Sequence, residues 1–296
     1  MKRVRKVVIP VAGYGTRFLP ATKAQPKEML PIVDKPTVQY IVEEAVASGI
    51  ETVILVTAQS KRSIEDHFDE NPELEEHLEK TGRQDLLESV RHLSREANFV
   101  YIRQWGPYGN GTPVLNAEPI IGDEPFAVIW GDDLVKSAVP RLRQLIDVYE
   151  RYGHSVLTAY PVDDEGTSRY GIIDGTTVAP GVIEVSGVVE KPGPELAPSR
   201  IASLGGYVLT SDIFDSLRST ARGKDGELWL IDAIFSLAKK RPIYACLIDG
   251  TYYDVGSKLG WLKANIAYAL EREELRGELQ MFIKGDLAAG PGAHNE

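Results

Sequence analysis

At 296 residues, 43% of them hydrophobic, the chain can bury a sizeable core, as one large α/β domain or as a domain with a smaller appendage. A net charge of -10 argues against nucleic acid or an anionic membrane surface as the main partner. Its single cysteine, Cys246, excludes an intramolecular disulfide framework and is typical of a reducing compartment. No stretch approaches the ~20 apolar residues that span a bilayer. The apolar run after the basic N-terminus is too short for a signal peptide and breaks at Gly13, so we expect a cytoplasmic protein.

The first predicted element is an apolar strand at residues 7–9, which breaks at the glycine turn Ala12-Gly13-Tyr14-Gly15. Glycine has no Cβ, so such a turn can bend tightly and let the backbone approach a ligand. The residues that follow supply a hydroxyl and several cations in quick succession: Thr16, Arg17, Lys23 and Lys27. Exposed amides next to cationic side chains are typical of phosphate-binding loops, so we expect a phosphate ligand here.

Two familiar glycine motifs do not account for this loop. The dinucleotide-binding fingerprint needs a third glycine where this chain has Phe18. A P-loop ends in Gly-Lys-Ser/Thr, which Gly15-Thr16-Arg17 does not match. A Gly-x-Gly triplet alone carries little weight, because the chain repeats it at residues 109–111 and 290–292. The loop is therefore interpreted through the longer pattern in which it stands.

The next elements predict a parallel crossover unit, because an amphipathic helix at residues 38–49 precedes an apolar strand at 52–57. A second helix is expected at residues 60–67, with Ser60 as its N-cap. Residues 72–94 are rich in charge and in spaced leucines, which favours a solvated helical pair. A flap or an oligomer contact are the alternatives for this insertion.

Two further strands are expected to end in polar residues. The strand at residues 98–104 ends at Gln104, and a buried strand at 126–130 is followed by Gly131 and Asp132. Ligands of open α/β sheets gather at the carboxyl ends of strands. We therefore expect Gln104 and Asp132 to lie close to the glycine turn.

Between these strands, the glycine-rich turn at residues 106–111 leads into a predicted helix that Thr112 caps, with Pro113 at the first helical position. The segment 170–209 is rich in strands and turns, and we interpret it as a second lobe continuous with the sheet. The remaining expected elements are helices at 140–151, 227–240 and 257–274, and strands at 154–161, 243–248 and 252–254.

A long pattern surrounds the glycine turn: Gly13-x-Gly15-Thr16-Arg17, then Pro26-Lys27-Glu28-Met29-Leu30-Pro31, then Asp34-Lys35-Pro36. It resembles the signature of sugar-1-phosphate nucleotidyltransferases. The amino-acid sequence of residues 21–36 is similar to that of the bacterial UTP–glucose-1-phosphate uridylyltransferase family. The resemblance continues in patches to about residue 270.

This resemblance implies an α/β fold with a Rossmann-like, mixed and mostly parallel central sheet flanked by helices, and a smaller β-rich sugar-binding lobe. It implies a single nucleotidyltransferase domain over residues 1–283, with a nucleotide half at about 1–135 and a sugar half at about 136–283. Residues 284–296 are expected to form an irregular tail.

The resemblance also implies the reaction, in which UTP and glucose 1-phosphate give UDP-glucose and pyrophosphate by direct, Mg²⁺-assisted in-line attack. The expected partners are these small molecules and further copies of the chain, as a homodimer or homotetramer. One alternative is the same chemistry with dTTP or another hexose 1-phosphate. Another is a nucleotide-sugar sensor without catalysis.

Such a transfer brings anions together, so it needs positioning, cations and a divalent metal. Mg²⁺ prefers carboxylate and phosphate oxygens, and Asp132 is the first candidate ligand. The resemblance implies the same role for Asp254. Arg17 suits the departing pyrophosphate through its planar fork, and Lys27 suits the α-phosphate.

For the sugar, the resemblance implies that Glu190 accepts hydrogen bonds from hydroxyls and that Lys191 neutralises the attacking 1-phosphate. Gly171 would let the backbone approach the ring. The Gln104 amide can both donate to and accept from uracil. The candidate nucleotide-binding residues are Ala12, Gly13, Gly15, Thr16, Gln104 and Gly109.

Several positions depart from the family pattern: Gln25, Tyr108, Asn110, Thr112, Gly206 and Trp229. They concentrate around the expected base pocket and sugar lobe and leave the phosphate loop intact. The choice of base and sugar therefore stays open to the dTTP and other-hexose alternatives.

Overall fold

The computed structural model describes residues 1–223 and 226–285, so the predicted tail lies outside the described residues apart from its first two positions. The strands are β1 Lys6–Pro10, β2 Pro31–Ile32, β3 Lys35–Pro36, β4 Thr52–Thr57, β5 Asn98–Arg103, β6 Phe126–Val128, β7 Asp133–Lys136, β8 Val156–Pro161, β9 Gly171–Ala179, β10 Val182–Glu190, β11 Ile201–Leu209, β12 Tyr244–Leu247 and β13 Thr251–Asp254.

The helices are α1 Thr37–Ala47, α2 Arg62–His67, α3 Pro72–Lys80, α4 Gln84–Arg95, α5 Gly111–Asn116, α6 Glu118–Ile121, α7 Arg141–Tyr152, α8 Asp164–Thr167, α9 Ile213–Ser219, α10 Leu230–Ala238, α11 Lys258–Ala269 and α12 Glu273–Lys284. Short 3₁₀ turns occur at Thr16–Phe18, Ala21–Lys23, Lys27–Met29 and Gln59–Lys61.

Within the described residues, a nine-stranded sheet has the order β5-β4-β1-β6-β11-β8-β12-β10-β9. Strands β5, β4, β1 and β6 are parallel, and β11 is antiparallel to both of its neighbours β6 and β8. Strand β12 is parallel to β8, and β10 is antiparallel to both β12 and β9. Every described strand of this sheet except β10 and β11 thus points the same way, which confirms the expected mixed, mostly parallel sheet.

The β-rich segment is part of this same sheet. Strand β9 pairs with β11 as well as with β10, so the far edge of the sheet bends back toward its middle. The predicted continuity of this segment with the sheet is therefore confirmed. The division of the chain into a nucleotide half and a sugar half stays a prediction.

Strand β1 shows how the core is organised. Val7 and Ile9 pack with apolar residues of α1 and α7, whereas Val8 packs with residues of α5, α9 and α10. Successive side chains of a strand point to opposite faces, so a continuous apolar run is what a strand covered on both faces requires. Helices therefore flank both faces of the sheet, as expected.

Three predicted helix boundaries are wrong. Helix α5 begins at Gly111 rather than after Thr112, whose hydroxyl donates to the Pro107 carbonyl instead of capping. Ser60 lies inside a 3₁₀ turn, and α2 starts two residues later without a side-chain cap. The helix expected at 257–274 is two helices, because Arg272 has an extended backbone and its guanidinium pairs with Asp34.

The charged insertion is a helical pair, as predicted. Helices α3 and α4 pack together, each contributes one buried leucine (Leu78 and Leu87), and an ion pair joins Arg91 to Glu75 at 2.8 Å. Most of their other side chains are exposed, as the prediction of a solvated helical pair requires.

Arg141, at the start of α7, is a buried arginine that the sequence did not single out. Its side chain is 0% exposed, and its Nε and one terminal nitrogen donate to the two oxygens of Glu44 at 3.0 and 2.9 Å. Its remaining N–H groups reach the carbonyls of Gly205 and Asp133. Arg141 thus joins α1 and α7 to β7 and β11.

We expect Glu44→Ala to lower the free energy of unfolding by about 3–5 kcal/mol, because it leaves the Arg141 guanidinium buried without its counter-charge. Urea denaturation measures the change. The matched control is Asp147→Ala, which removes an exposed partner of Arg143 on α7, the helix that also carries Arg141. This change should cost less than ~1 kcal/mol. Similar losses in both variants would contradict the expectation.

Candidate active site

The loops that follow β1, β5 and β6 line a cleft of about 690 Å³ at the carboxyl ends of these parallel strands. Many of the sequence-predicted site residues line it: Ala12, Gly13, Gly15, Thr16, Arg17, Lys27, Gln104, Gly109 and Asp132. The three strand ends thus meet at one edge of the sheet, as the sequence led us to expect.

The first loop is a series of short 3₁₀ turns rather than a helix. Gly15 opens it with a left-handed backbone (φ 67°), and a Cβ there would lie 3.2 Å from the Cβ of Lys27. The Thr22 hydroxyl donates to the Gly15 carbonyl at 2.6 Å and closes the loop on itself. The glycine is therefore needed both for its conformation and for the close approach of the segment that carries Lys27.

Two carboxylates from distant parts of the chain meet beside Gly256. An added Cβ at this glycine would lie 2.3 Å from Asp132 Oδ2 and 3.1 Å from Asp254 Oδ1. Burial raises the pKa of Asp254, the charge of Asp132 raises it further, and Arg17 lowers it. Pairing of β7 with β13 brings Asp254 to this position.

Lys27 lies directly against this carboxylate pair. Its Nζ donates to Asp132 Oδ2 at 2.5 Å. Burial alone would lower the pKa of Lys27, but the charges of Asp132 and then Glu28 raise it above its ordinary value, so the ammonium stays charged. The cleft thus holds a cation and two anions within one partly buried cluster.

Asp133 points away from this cluster, as the alternation of side chains along a strand predicted. It is buried, and one of its carboxylate oxygens accepts a hydrogen bond from the Tyr252 hydroxyl at 2.9 Å. Burial, and then the charge of Asp132, raise the pKa of Asp133 to about 7. Asp133 does not line the cleft, and its hydrogen bond to Tyr252 joins β7 to β13.

Gly109 also lines the cleft, and the structure shows a requirement for glycine here that the sequence did not predict. Its φ is 116°, and an added Cβ would lie 2.1 Å from the carbonyl oxygen of Leu228. The amide of Leu228 donates to the Tyr108 carbonyl, and its carbonyl accepts from Gly111 N. The turn is thus held by the segment before α10, and close packing of protein backbone already requires a glycine there.

A pair of exposed tyrosines also joins the two sides of the cleft mouth. The hydroxyls of Tyr14 and Tyr108 are 2.9 Å apart, and both residues line the cleft. Tyr108 is one of the departures from the family pattern. No pattern in the sequence relates it to Tyr14, because the two are neighbours only after folding.

The expected sugar residues form a separate cluster next to this cleft. Gly171 is paired with Glu190 across β9 and β10, and an added Cβ at Gly171 would lie 2.8 Å from Val188. Lys191 has a φ of 46°, which is uncommon for a residue with a side chain, and its Nζ lies 3.2 Å from Glu190 Oε1. The Lys191 amide donates to the carbonyl of Tyr170. Burial, and then the charge of Asp254, raise the pKa of the Tyr170 hydroxyl.

A divalent cation fits the carboxylate pair. Within residues 1–223 and 226–285 there is no group of three or more His, Cys, Asp or Glu residues that could enclose a metal. Asp132 and Asp254 supply two carboxylates, the usual protein share for Mg²⁺, which takes its remaining ligands from phosphates and water.

The fold and the site define a nucleotidyltransferase. A family model described as "Nucleotidyl transferase" matches residues 6–271, so the chain belongs to this family and is an enzyme of this type. It is similar to the UTP–glucose-1-phosphate uridylyltransferase YngB of Bacillus subtilis (strain 168), with 52% identity over 283 residues that cover 96% of this chain and 95% of that protein.

Solved structures agree with this relationship. A crystal structure of UDP-glucose pyrophosphorylase complexed with UDP-glucose has a TM-score of 0.83 and 43% identity, covering 91% of this chain and 100% of that one. A UTP-bound UGPase from Acinetobacter baumannii has a TM-score of 0.89 and 39% identity, covering 95% and 99%. The family and the fold expected from the sequence are confirmed.

In the part of the chain that the structure describes, no helix combines the length and the apolar character needed to cross a membrane.

We expect Gly256→Ala to lower turnover by roughly 100-fold, because the new methyl group would lie between the two carboxylates and displace them by about 1 Å. Initial rates of nucleotidyl transfer at saturating substrate measure this. The matched control is Gly187→Ala, where a Cβ would meet nothing within 4 Å. Full activity in Gly256→Ala would show that the carboxylate geometry is not needed for turnover.

Proposed function

We propose that this enzyme transfers a uridylyl group from UTP to glucose 1-phosphate and releases UDP-glucose and pyrophosphate. The observation that carries the proposal is the meeting of Arg17, Lys27, Asp132 and Asp254 in one cluster at the cleft. Relatives with this named activity match the chain at about half identity over nearly its full length, and related structures contain UTP and UDP-glucose.

The barrier to this transfer is the repulsion between the attacking sugar phosphate and the triphosphate, together with the charge that develops on pyrophosphate. Lys27 would hold the α-phosphate where charge accumulates, and Arg17 would hold the departing pyrophosphate through paired hydrogen bonds. We propose Asp132 and Asp254 as the ligands of Mg²⁺, which when bound neutralises phosphate charge. No covalent intermediate with the protein is required, because positioning and charge suffice.

The second cluster would serve the acceptor. Glu190 would accept hydrogen bonds from hexose hydroxyls, and Lys191 would neutralise the attacking 1-phosphate. Gly171 lies directly beside Glu190, where a side chain would crowd a sugar ring. Lys191 and Glu190 already pair with each other, so their charges are available at one place without a large rearrangement.

The nucleotide would enter along the first loop. The backbone of Ala12 and Gly13 and the side-chain amide of Gln104 would recognise uracil, and Gly109 would pack against the base. The amides at Gly15 and Thr16 would face the phosphates. We also propose the nucleotide half at 1–135, the sugar half at 136–283, a homodimer or homotetramer, and a cytoplasmic location; these remain predictions.

Base and sugar choice are tested by initial rates across a panel of UTP, dTTP and other triphosphates, each with several hexose 1-phosphates. We expect the highest kcat/KM with UTP and glucose 1-phosphate. The panel is informative because Tyr108 and Asn110, two of the departures from the family pattern, line the cleft. A preference for dTTP would overturn the base assignment, and binding without turnover would favour the sensor alternative.

We expect Asp132→Asn and Asp254→Asn to lose turnover by orders of magnitude while the fold persists, because each removes one of the two carboxylates proposed to hold the metal. Pyrophosphate release at several Mg²⁺ concentrations measures the loss, and circular dichroism confirms folding. Asp249→Asn, in the exposed loop after β12, is the control. A near-normal rate in either site variant would remove that residue from the metal site.

A further inference from the structure

Glu28, next to Lys27 in the first loop, is a buried carboxylate that the reaction scheme has not used. Its side chain is 1% exposed, and its Oε2 accepts a hydrogen bond from Lys61 Nζ at 2.9 Å. Its other oxygen, Oε1, is buried and has no hydrogen-bond partner among the described residues. An unpaired buried carboxylate oxygen is costly, so it calls for a physical reason.

The unpaired oxygen faces the catalytic cluster. Glu28 Oε1 lies 4.0 Å from Lys27 Nζ, just beyond hydrogen-bond distance, while the same Nζ donates to Asp132. An ammonium has three donors, so Lys27 has capacity beyond its bond to Asp132. The ammonium therefore lies between two carboxylates and currently bonds to only one of them.

Glu28 is held firmly in this position. Its Cγ lies 3.1 Å from where a Cβ on Gly131 would be, so it packs under the segment that carries Asp132. Lys61 comes from the 3₁₀ turn after β4, where its amide is bonded to the Ala58 carbonyl, and its side chain is only 4% exposed. Two loops that follow different strands thus fix the carboxylate, and the hydrogen bond from Lys61 Nζ holds its Oε2 in place.

We infer that Glu28 is a positioning residue for Lys27: it receives the Lys27 ammonium when a ligand engages Asp132, and Lys61 holds it in place for that purpose. The inference rests on the proposed function, in which Asp132 binds a cation. A cation held by Asp132 would repel the ammonium, and a shift of Nζ by about 1 Å would bring it within hydrogen-bond distance of Glu28 Oε1. The other two N–H donors of Lys27 would then be available to the α-phosphate.

The test uses Glu28→Gln and the paired variant Glu28→Gln/Lys61→Met. In the single variant the amide oxygen stays with Lys61, so its NH₂ faces Lys27 and cannot accept. The paired variant removes both buried charges, which keeps a folded protein to measure if the single variant is unstable. Thermal unfolding reports the folded state of each.

We expect both variants to lose kcat by roughly 10- to 100-fold, the effect of misplacing a reacting group by about 1 Å, with the KM for UTP changed less than about threefold. A purely structural pair would lower the melting temperature and leave the kcat of the folded protein unchanged, and that result would overturn the inference.

A second readout needs no turnover. Mn²⁺ binding, followed by calorimetry, should weaken roughly tenfold in Glu28→Gln, because Lys27 then has no second acceptor when it leaves Asp132. In a Lys27→Met background the same change should alter Mn²⁺ affinity by no more than about twofold. An equal effect in both backgrounds would mean that Glu28 acts through its charge alone, which overturns the inference.

The kinetic and Mn²⁺-binding measurements distinguish a failure of the proposed function from a failure of the positioning role of Glu28. If the unmodified enzyme transfers no uridylyl group, the proposed function fails, and the Mn²⁺ measurements still decide the role of Glu28. If the unmodified enzyme is active and Glu28→Gln matches it in kcat, the positioning role fails and the proposed function stands.

Discussion

The site depends on keeping two carboxylates, Asp132 and Asp254, close together in a partly buried place. Their repulsion and their loss of solvation oppose this arrangement, as the raised pKa of Asp254 indicates. The cations of the first loop offset it, with Lys27 bonded to Asp132 and Arg17 near Asp254. A net-acidic chain can therefore bind a polyphosphate, because its cations are concentrated where the ligand enters.

Behind the cleft, further buried polar groups occur in pairs that join distant elements. Arg141 joins α1, α7, β7 and β11, and Asp133 joins β7 to the Tyr252 hydroxyl of β13. Buried ion pairs often add little stability, because desolvation offsets their attraction. Their value here is geometric: the Asp133–Tyr252 hydrogen bond links β7 to β13, whose pairing brings Asp254 beside Asp132, and Arg141 bonds the Asp133 carbonyl at the start of β7.

Some residues of this site could be predicted from the strand pattern, one was implied only by the family resemblance, and others could not be predicted. Gln104 and Asp132 could be placed from the strand pattern alone, because each follows a predicted strand and ligands of open α/β sheets gather at the carboxyl ends of strands. Asp254 was implied only by the family resemblance, since no local feature distinguishes it from a turn residue. The Glu28–Lys61 pair and the Tyr14–Tyr108 contact could not be predicted, because each partner is unremarkable until the chain folds.

By itself, the sequence determined most of the helices and strands, the first parallel crossover unit, and the glycine turn with its cations from which phosphate binding is predicted. These follow from local periodicity, from glycine and from the spacing of charges, which act over a few residues. Only the tertiary structure decided which carboxylates meet, why Gly109 must be glycine, and which buried oxygen faces Lys27. Those facts depend on contacts between residues a hundred or more positions apart, or on burial, neither of which a linear pattern records.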